Sequence, residues 1–214
     1  MFDFSSSALL SLVLSLPGII LAITFHEIAH GYAADAMGDP TPKLAGRLSV
    51  NPLKHLDPLG FICMLLFHFG WAKPVPVNPA NFKNHRKGIV VVSLAGCLTN
   101  LLLGFIALTV EYAVFPLIQD NIILLIILEQ IYAYNIIFAI FNLIPIPPLD
   151  GSQILGEFLP PKARFKYQSL ARYGMILLMI LLVTGLFGRV ITPVFSAVDG
   201  LFRTILRFIF GFIY

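Results

Sequence analysis

The sequence predicts an all-α membrane protein, a multi-pass helical bundle with a short re-entrant or β-like insertion between its first and second spans. Three observations lead there. Of 214 residues, 58% are hydrophobic and 12% charged, with a mean hydropathy of +0.89, well above the apolar share of a soluble domain. The apolar residues gather in runs long enough to cross the hydrocarbon core of a bilayer, for which about 20 helical residues suffice. Between the first two runs lies a Pro- and Asn-rich stretch, 38–88, whose one apolar segment is too short to span. The whole chain, 1–214, reads as a single integral membrane domain.

The first span is expected over about 8–37, passing Pro17 and Gly18 and stopped by Gly38, Asp39 and Pro40, residues that end helices. At about 1.5 Å per residue, His26 falls roughly 27 Å from the helix start, near the far edge of the hydrocarbon but inside it. Gly31, Ala33, Ala34 and Ala36 follow; their small side chains allow another segment to pack closely. The run lacks a basic leading region and continues into a His-Glu pair, so a cleaved signal peptide is not expected.

Stretch 38–88 carries Lys43, Arg47, Lys54, Lys73, Lys83, Arg86 and Lys87. Its apolar segment, 59–70, reads as re-entrant or as buried in protein. Segments 48–52 and 74–79 have the look of short strands closed by Asn-Pro turns, and a strand edge beside the site would bind an unwound peptide by β-addition. Rigid loops are the plainer reading of either segment. A second span is expected over 89–116, with Gly96 for tight packing and Asn100 bonding a neighbouring helix. The 116–121 link has no Lys or Arg, and a third span covers 122–144. Pro145, Pro147 and Pro148 then break the helix just ahead of Asp150; irregular backbone at membrane depth belongs in the bundle interior. After a loop with Lys162, Arg164, Lys166 and Arg172, a fourth span is expected over 173–195, interrupted by Gly185 and Gly188. Segment 201–214, with Arg203 and Arg207 four apart, is short for a span and reads as interfacial or re-entrant.

Basic residues fill the 38–88 and 145–172 loops and avoid the start of the chain and the 116–121 link. By the positive-inside rule the N-terminus is outside, and His26, His30 and Asp150 all arrive at the cytoplasmic leaflet of the cell membrane. A net charge of +3 spread through loops argues against nucleic-acid binding. Cys63 and Cys97 lie in apolar surroundings and offer neither a zinc knuckle nor a disulfide framework. Nothing in the sequence fixes an oligomeric state.

His26 and His30 are four apart, so on a helix they lie about 40° apart around the axis and roughly 6 Å along it, within reach of one metal ion. Glu27 flanks the pair without competing for the ion and is free to take a proton from water activated there, as in His-Glu-x-x-His zinc hydrolases. Three ionisable groups inside an apolar run are costly unless paired or functional. A catalytic zinc needs a third protein ligand. The position where a metzincin would supply a further histidine is Ala36, and the next glutamate is Glu111, deep in another span. Asp35 points about 140° away from His30, and His55 and Asp57 sit in a basic loop. Asp150 is the best candidate, with capping of its turn as its plainer role.

Phe25-His-Glu-Ile-Ala-His-Gly31 together with Asn142-Leu-Ile-Pro-Ile-Pro-Pro-Leu-Asp-Gly151 resembles the site-2 protease family of intramembrane zinc metalloproteases. Gly38-Asp-Pro-Thr, Gly46-Arg-Leu-Ser-Val-Asn-Pro52, His55-Leu-Asp-Pro-Leu-Gly60 and Gly70-Trp-Ala-Lys-Pro-Val-Pro-Val-Asn-Pro79 resemble its compact prokaryotic branch, which lacks a PDZ insert. The likeness covers most of residues 20–155. It implies that His26, His30 and Asp150 bind Zn2+, that Glu27 acts on water, and that Asn142 helps stabilise the oxyanion. It also implies a substrate that is a single-span membrane protein or a leftover signal peptide, cleaved in or near its membrane segment. Cys97 departs from the family pattern, which would have Pro there. Two other classes are weighed. A metal-binding transporter predicts a polar path through several spans, and Asn100, Glu111, Glu129, Gln130, Asn135 and Asn142 do not form an obvious one. A catalytically inactive relative that binds membrane helices is opposed by the intact Glu27.

Overall fold

The computed structural model describes residues 6–67 and 70–211. Three helices are long and apolar enough to cross a membrane: α1 (Ser6–Met37), α4 (His85–Ile118) and α5 (Ile122–Asn142). Each packs against the other two. Asn84 caps α4 by accepting from Lys87 N (3.0 Å), and Asn121 caps α5 by accepting from Leu124 N (3.2 Å); such side chains satisfy the free donors at a helix start. Close approach is allowed by small residues: a Cβ added at Gly18 of α1 would lie 2.6 Å from the Gln130 carbonyl oxygen of α5.

Between α1 and α4 lie α2 (Thr41–Leu44), α3 (Pro58–Phe67) and two 3-10 turns, Pro52–Lys54 and Pro79–Asn81. The ten residues of α3 are too few to span, as expected for 59–70; positions 68 and 69 lie outside the described residues. The strands expected at 48–52 and 74–79 do not form. Among the described residues the sole β pairing is an isolated bridge between Leu56 and Ala72. Proline is the reason. Pro74, Pro76 and Pro79 have no N–H to give a ladder, and the Val75 and Asn78 N–H groups go to the side chains of Glu27 (2.8 Å) and Asp39 (2.7 Å). Residues 74–79 therefore form a strap laid across the bundle, not a sheet edge.

The C-terminal part holds α6 (Asp150–Phe158), α7 (Pro161–Gln168), α8 (Ala171–Val183) and α9 (Leu186–Phe210). Here the expected boundaries shift. The chain breaks at Gly185, whose φ of 70° lies in the left-handed region that glycine adopts without penalty, whereas Gly188 stays helical inside α9. In place of one span over 173–195, α8 follows α7 at a 59° bend, the pair reaching spanning length together. Residues 201–210 continue the 25-residue α9 and do not form an element of their own; positions 212–214 lie outside the described residues. Arg203 turns inward, bonding Asp199 (2.7 Å) and Glu129 (3.2 Å), with the Tyr132 hydroxyl donating to Asp199 (2.8 Å). Around this polar knot, Leu108, Tyr132, Ile136 and Leu206 are fully buried where α4, α5 and α9 meet.

Candidate active site

One helix face delivers three of the predicted residues. His26, Glu27 and His30 lie on α1 in its buried part, each at 9% exposure or less. The fourth arrives from a distant element. After α5 ends, tight turns carry the chain through three prolines, with Ile146 N bonded to Ile144 O (2.8 Å) and Leu149 N to Ile146 O (2.9 Å). Asp150 opens α6 immediately after. Gly151 lets that helix start press on the end of α5, since a Cβ there would lie 2.1 Å from the Leu143 carbonyl oxygen.

The three donor atoms converge. His26 Nε2 and His30 Nε2 are 2.9 Å apart, and Asp150 Oδ2 lies 3.1 Å from the first and 3.2 Å from the second. The histidine tautomers follow from their other partners. His30 Nδ1 is 2.8 Å from the Val92 carbonyl oxygen, which can only accept, so Nδ1 carries the proton. His26 Nδ1 is 2.9 Å from Asn100 Oδ1. Asn100 Nδ2 is committed to Ala22 O and Asn135 Oδ1, both at 3.0 Å, so Oδ1 accepts from His26. In the neutral rings both Nε2 lone pairs then face each other and a carboxylate oxygen. Three acceptors at this spacing repel unless a proton or cation lies among them. Around a tetrahedral ion with ligands at 2.0–2.1 Å, donor atoms sit roughly 3.3 Å apart, so the observed triangle fits zinc.

The surroundings hold the rings in place. A Cβ at Gly96 would come within 2.6 Å of His26 Nδ1 and Cε1 and 2.8 Å of His30 Cε1, so glycine is what lets both imidazoles lie against α4. Phe138 meets the His26 ring edge-on at 5.0 Å. Cys97, fully buried, places its sulfur 3.9 Å from Asp150 Oδ2. Asn100, expected to bond a neighbouring helix, does so, and the neighbour is a histidine of the cluster. Spacing gave no sign of that, and the Val92 carbonyl, being backbone, leaves no signal at all.

Glu27, Asn142 and Val75 line a cavity of about 380 Å³ with His26, His30 and Asp150. Glu27 Oε2 accepts from Val75 N, and Asn142 Nδ2 donates to Phe138 O (3.0 Å). His55 and Asp57 stay out of the cluster: His55 bonds Ser49 O (2.7 Å) and Asp57 caps Gly60 N (2.8 Å). The far end of the strap is fixed by Asp39, which accepts from Thr41, Asn78 and Asn81. Burial pushes the Asp39 carboxyl up, but these hydrogen bonds outweigh it and hold the group below the usual carboxylate range.

A pair of histidines on one spanning helix, met by a carboxylate and flanked by a glutamate, is an arrangement that suits a membrane-embedded metallohydrolase. The chain belongs to peptidase family M50. That family's profile matches residues 117–183, and a Bacillus subtilis protein named "Putative zinc metalloprotease YwhC" is 40% identical over 184 residues, 84% of each chain. Proteins named "Putative zinc metalloprotease Rip2" are 26% identical over 186 residues in Mycolicibacterium smegmatis (83% of this chain, 69% of the relative) and 25% over 175 residues in Mycobacterium tuberculosis (79% and 66%). No solved structure matches the chain.

Proposed function

We propose that His26, His30 and Asp150 hold the zinc ion, that Glu27 is the general base and acid, and that Asn142 stabilises the oxyanion. The protein is an intramembrane zinc metalloprotease, as its family membership and apolar spanning helices establish, and it acts on membrane-embedded substrates. The observation that carries the residue assignment is the triangle of donor atoms at 2.9–3.2 Å with both imidazole Nδ1 atoms committed elsewhere. When bound, zinc supplies a Lewis acid that lowers the pKa of water and polarises the scissile carbonyl.

The chain supplies proton transfer and orientation. Glu27 keeps Oε2 on the Val75 N–H, which leaves Oε1 to take a proton from water in the cavity and return it to the leaving amine. Asn142 spends one N–H of its amide on Phe138 O; the other is available to the carbonyl oxygen as charge develops there. A substrate helix has its amides internally bonded, so its segment must unwind before attack. The substrate class we infer is a single-span membrane protein or a leftover signal peptide, and chain 1–214 acts as one domain. Basic residues on the 38–88 and 145–172 loops, at the end of the bundle that carries the cluster, support a site at the cytoplasmic leaflet of the cell membrane.

Metal analysis and cleavage of a panel of single-span substrates test this reading. Glu27→Gln is expected to keep one zinc per chain and lose cleavage by at least about a thousandfold, in the upper half of the usual contribution of an acid–base group because Glu27 serves twice. Undiminished processing by that variant rejects Glu27 as the base.

A further inference from the structure

We propose that Arg47 is a positioning residue for Glu27, acting through the single peptide unit that joins Pro74 to Val75. The inference rests on the reading of Glu27 as the base. Arg47 is aimed by the turn before it: Gly46, at φ 64°, lets the Arg47 N–H return to Pro42 O (2.9 Å), closing α2 and turning the side chain toward the strap. Its guanidinium forks onto two successive carbonyls, Nη1 donating to Pro74 O (3.0 Å) and Nη2 to Lys73 O (2.5 Å).

The Pro74 carbonyl and the Val75 N–H belong to one planar trans amide, so they point in opposite directions. On one side stands the Arg47 cation. On the other, the same amide's N–H donates to Glu27 Oε2 at 2.8 Å. A cation at the carbonyl polarises the amide and strengthens its N–H as a donor. Glu27 is thereby held in one rotamer by a charge-backed donor, yet among the described residues no Lys or Arg lines the cavity to occupy its second oxygen.

The strap has little else to hold its near end. Pro74 and Pro76 have no N–H, and the Lys73 N–H goes to His55 O (2.9 Å). Gly31, one turn beyond Glu27, makes room for the contact, since a Cβ there would lie 2.5 Å from Leu48 Cδ2 and 3.5 Å from Val75 Cγ1. Arg47 Nε is buried without a partner among the described residues, and a buried donor left unmet is costly. The guanidinium is thus placed for its two carbonyls at the expense of its third face.

A staple for the loop and a positioning residue for Glu27 differ in kinetics. The test uses the full-length zinc-loaded protein and a single-span substrate, with zinc content measured alongside. Arg47→Gln is expected to lower kcat by about 10–100-fold, the cost of a misplaced catalytic group, with KM within about twofold and zinc retained. Added guanidinium is expected to restore part of the kcat of Arg47→Gly. In combination with Glu27→Asp, whose shortened side chain draws back from Val75 N, Arg47→Gln is expected to add little, because both changes break one link.

A rise in KM at unchanged kcat, or fully additive losses with Glu27→Asp, overturns the proposal. Glu27→Gln separates the two failures. If it abolishes cleavage while Arg47→Gln leaves kcat unchanged, the positioning role alone fails; if it still cleaves, the base assignment fails and the inference with it. Should Arg47→Gln not accumulate as folded protein, Arg47→Lys replaces it, keeping the charge but losing the fork. A severalfold loss of kcat is then expected, and an unchanged kcat overturns the proposal.

Discussion

The bundle of α1, α4 and α5 and the C-terminal helix α8 are both apolar helix, yet they are held in opposite ways. In the first, the second nitrogen of each clustered imidazole has a named partner, Asn100 on His26 and Val92 O on His30, and glycines bring backbone against ring. In the second, α8 buries Gly174 and Leu178 and leaves Met175, Ile176, Met179, Ile180 and Val183 exposed, Val183 by 84%. An exposed apolar face suits lipid, which is as apolar as the side chains and gives them no reason to prefer one register. Sites in such a protein are marked by polar satisfaction and close backbone approach, and lipid-facing surfaces by hydrophobicity alone.

The comparison breaks most visibly at Gly96. Replacing it with Ala puts a Cβ 2.6 Å from the His26 ring, and a displaced imidazole is expected to cost most of the bound zinc and about 100-fold or more in cleavage. Metal content and turnover of the purified variant measure both. Next comes Asn100→Ala, which removes the acceptor for His26 Nδ1 but no proposed ligand. Loss of such an outer partner typically costs 10–100-fold in metal affinity, read by chelator competition. At the small end, Ile176→Ala on the exposed face of α8 is expected to change unfolding free energy by less than about 0.5 kcal/mol and to leave cleavage alone. A large effect there would mean that α8 packs on something other than lipid.

How much of this the sequence disclosed depends on how local the signal is. The pairing of His26 with His30 is fixed by helix periodicity, and Asp150 reaches them because α1 and α5 both run toward the loops that carry the basic residues. The strap invites a strand reading because alternating Pro and Val imitate a strand's pattern, but the prolines remove the donors a ladder needs, and the rigid-loop alternative is the one that forms. The C-terminal boundaries differ from expectation because Gly185 and Gly188 look alike in sequence. Only Gly185 takes a positive φ, and packing of α9 on Tyr132 and Leu108 carries the helix on through Gly188 and inward past Arg203. The Val92 carbonyl and the Val75 N–H were beyond reach in principle, since every residue has such groups and only tertiary structure selects which ones face the site.

X-ray absorption at the zinc edge of the purified, zinc-loaded protein addresses the proposed ligand set most directly. The account predicts two imidazole nitrogens and carboxylate or water oxygen at about 2.0–2.2 Å, with the carboxylate contribution and most of the zinc lost in Asp150→Ala. A sulfur neighbour at about 2.3 Å, or an unchanged coordination shell in that variant, would contradict it.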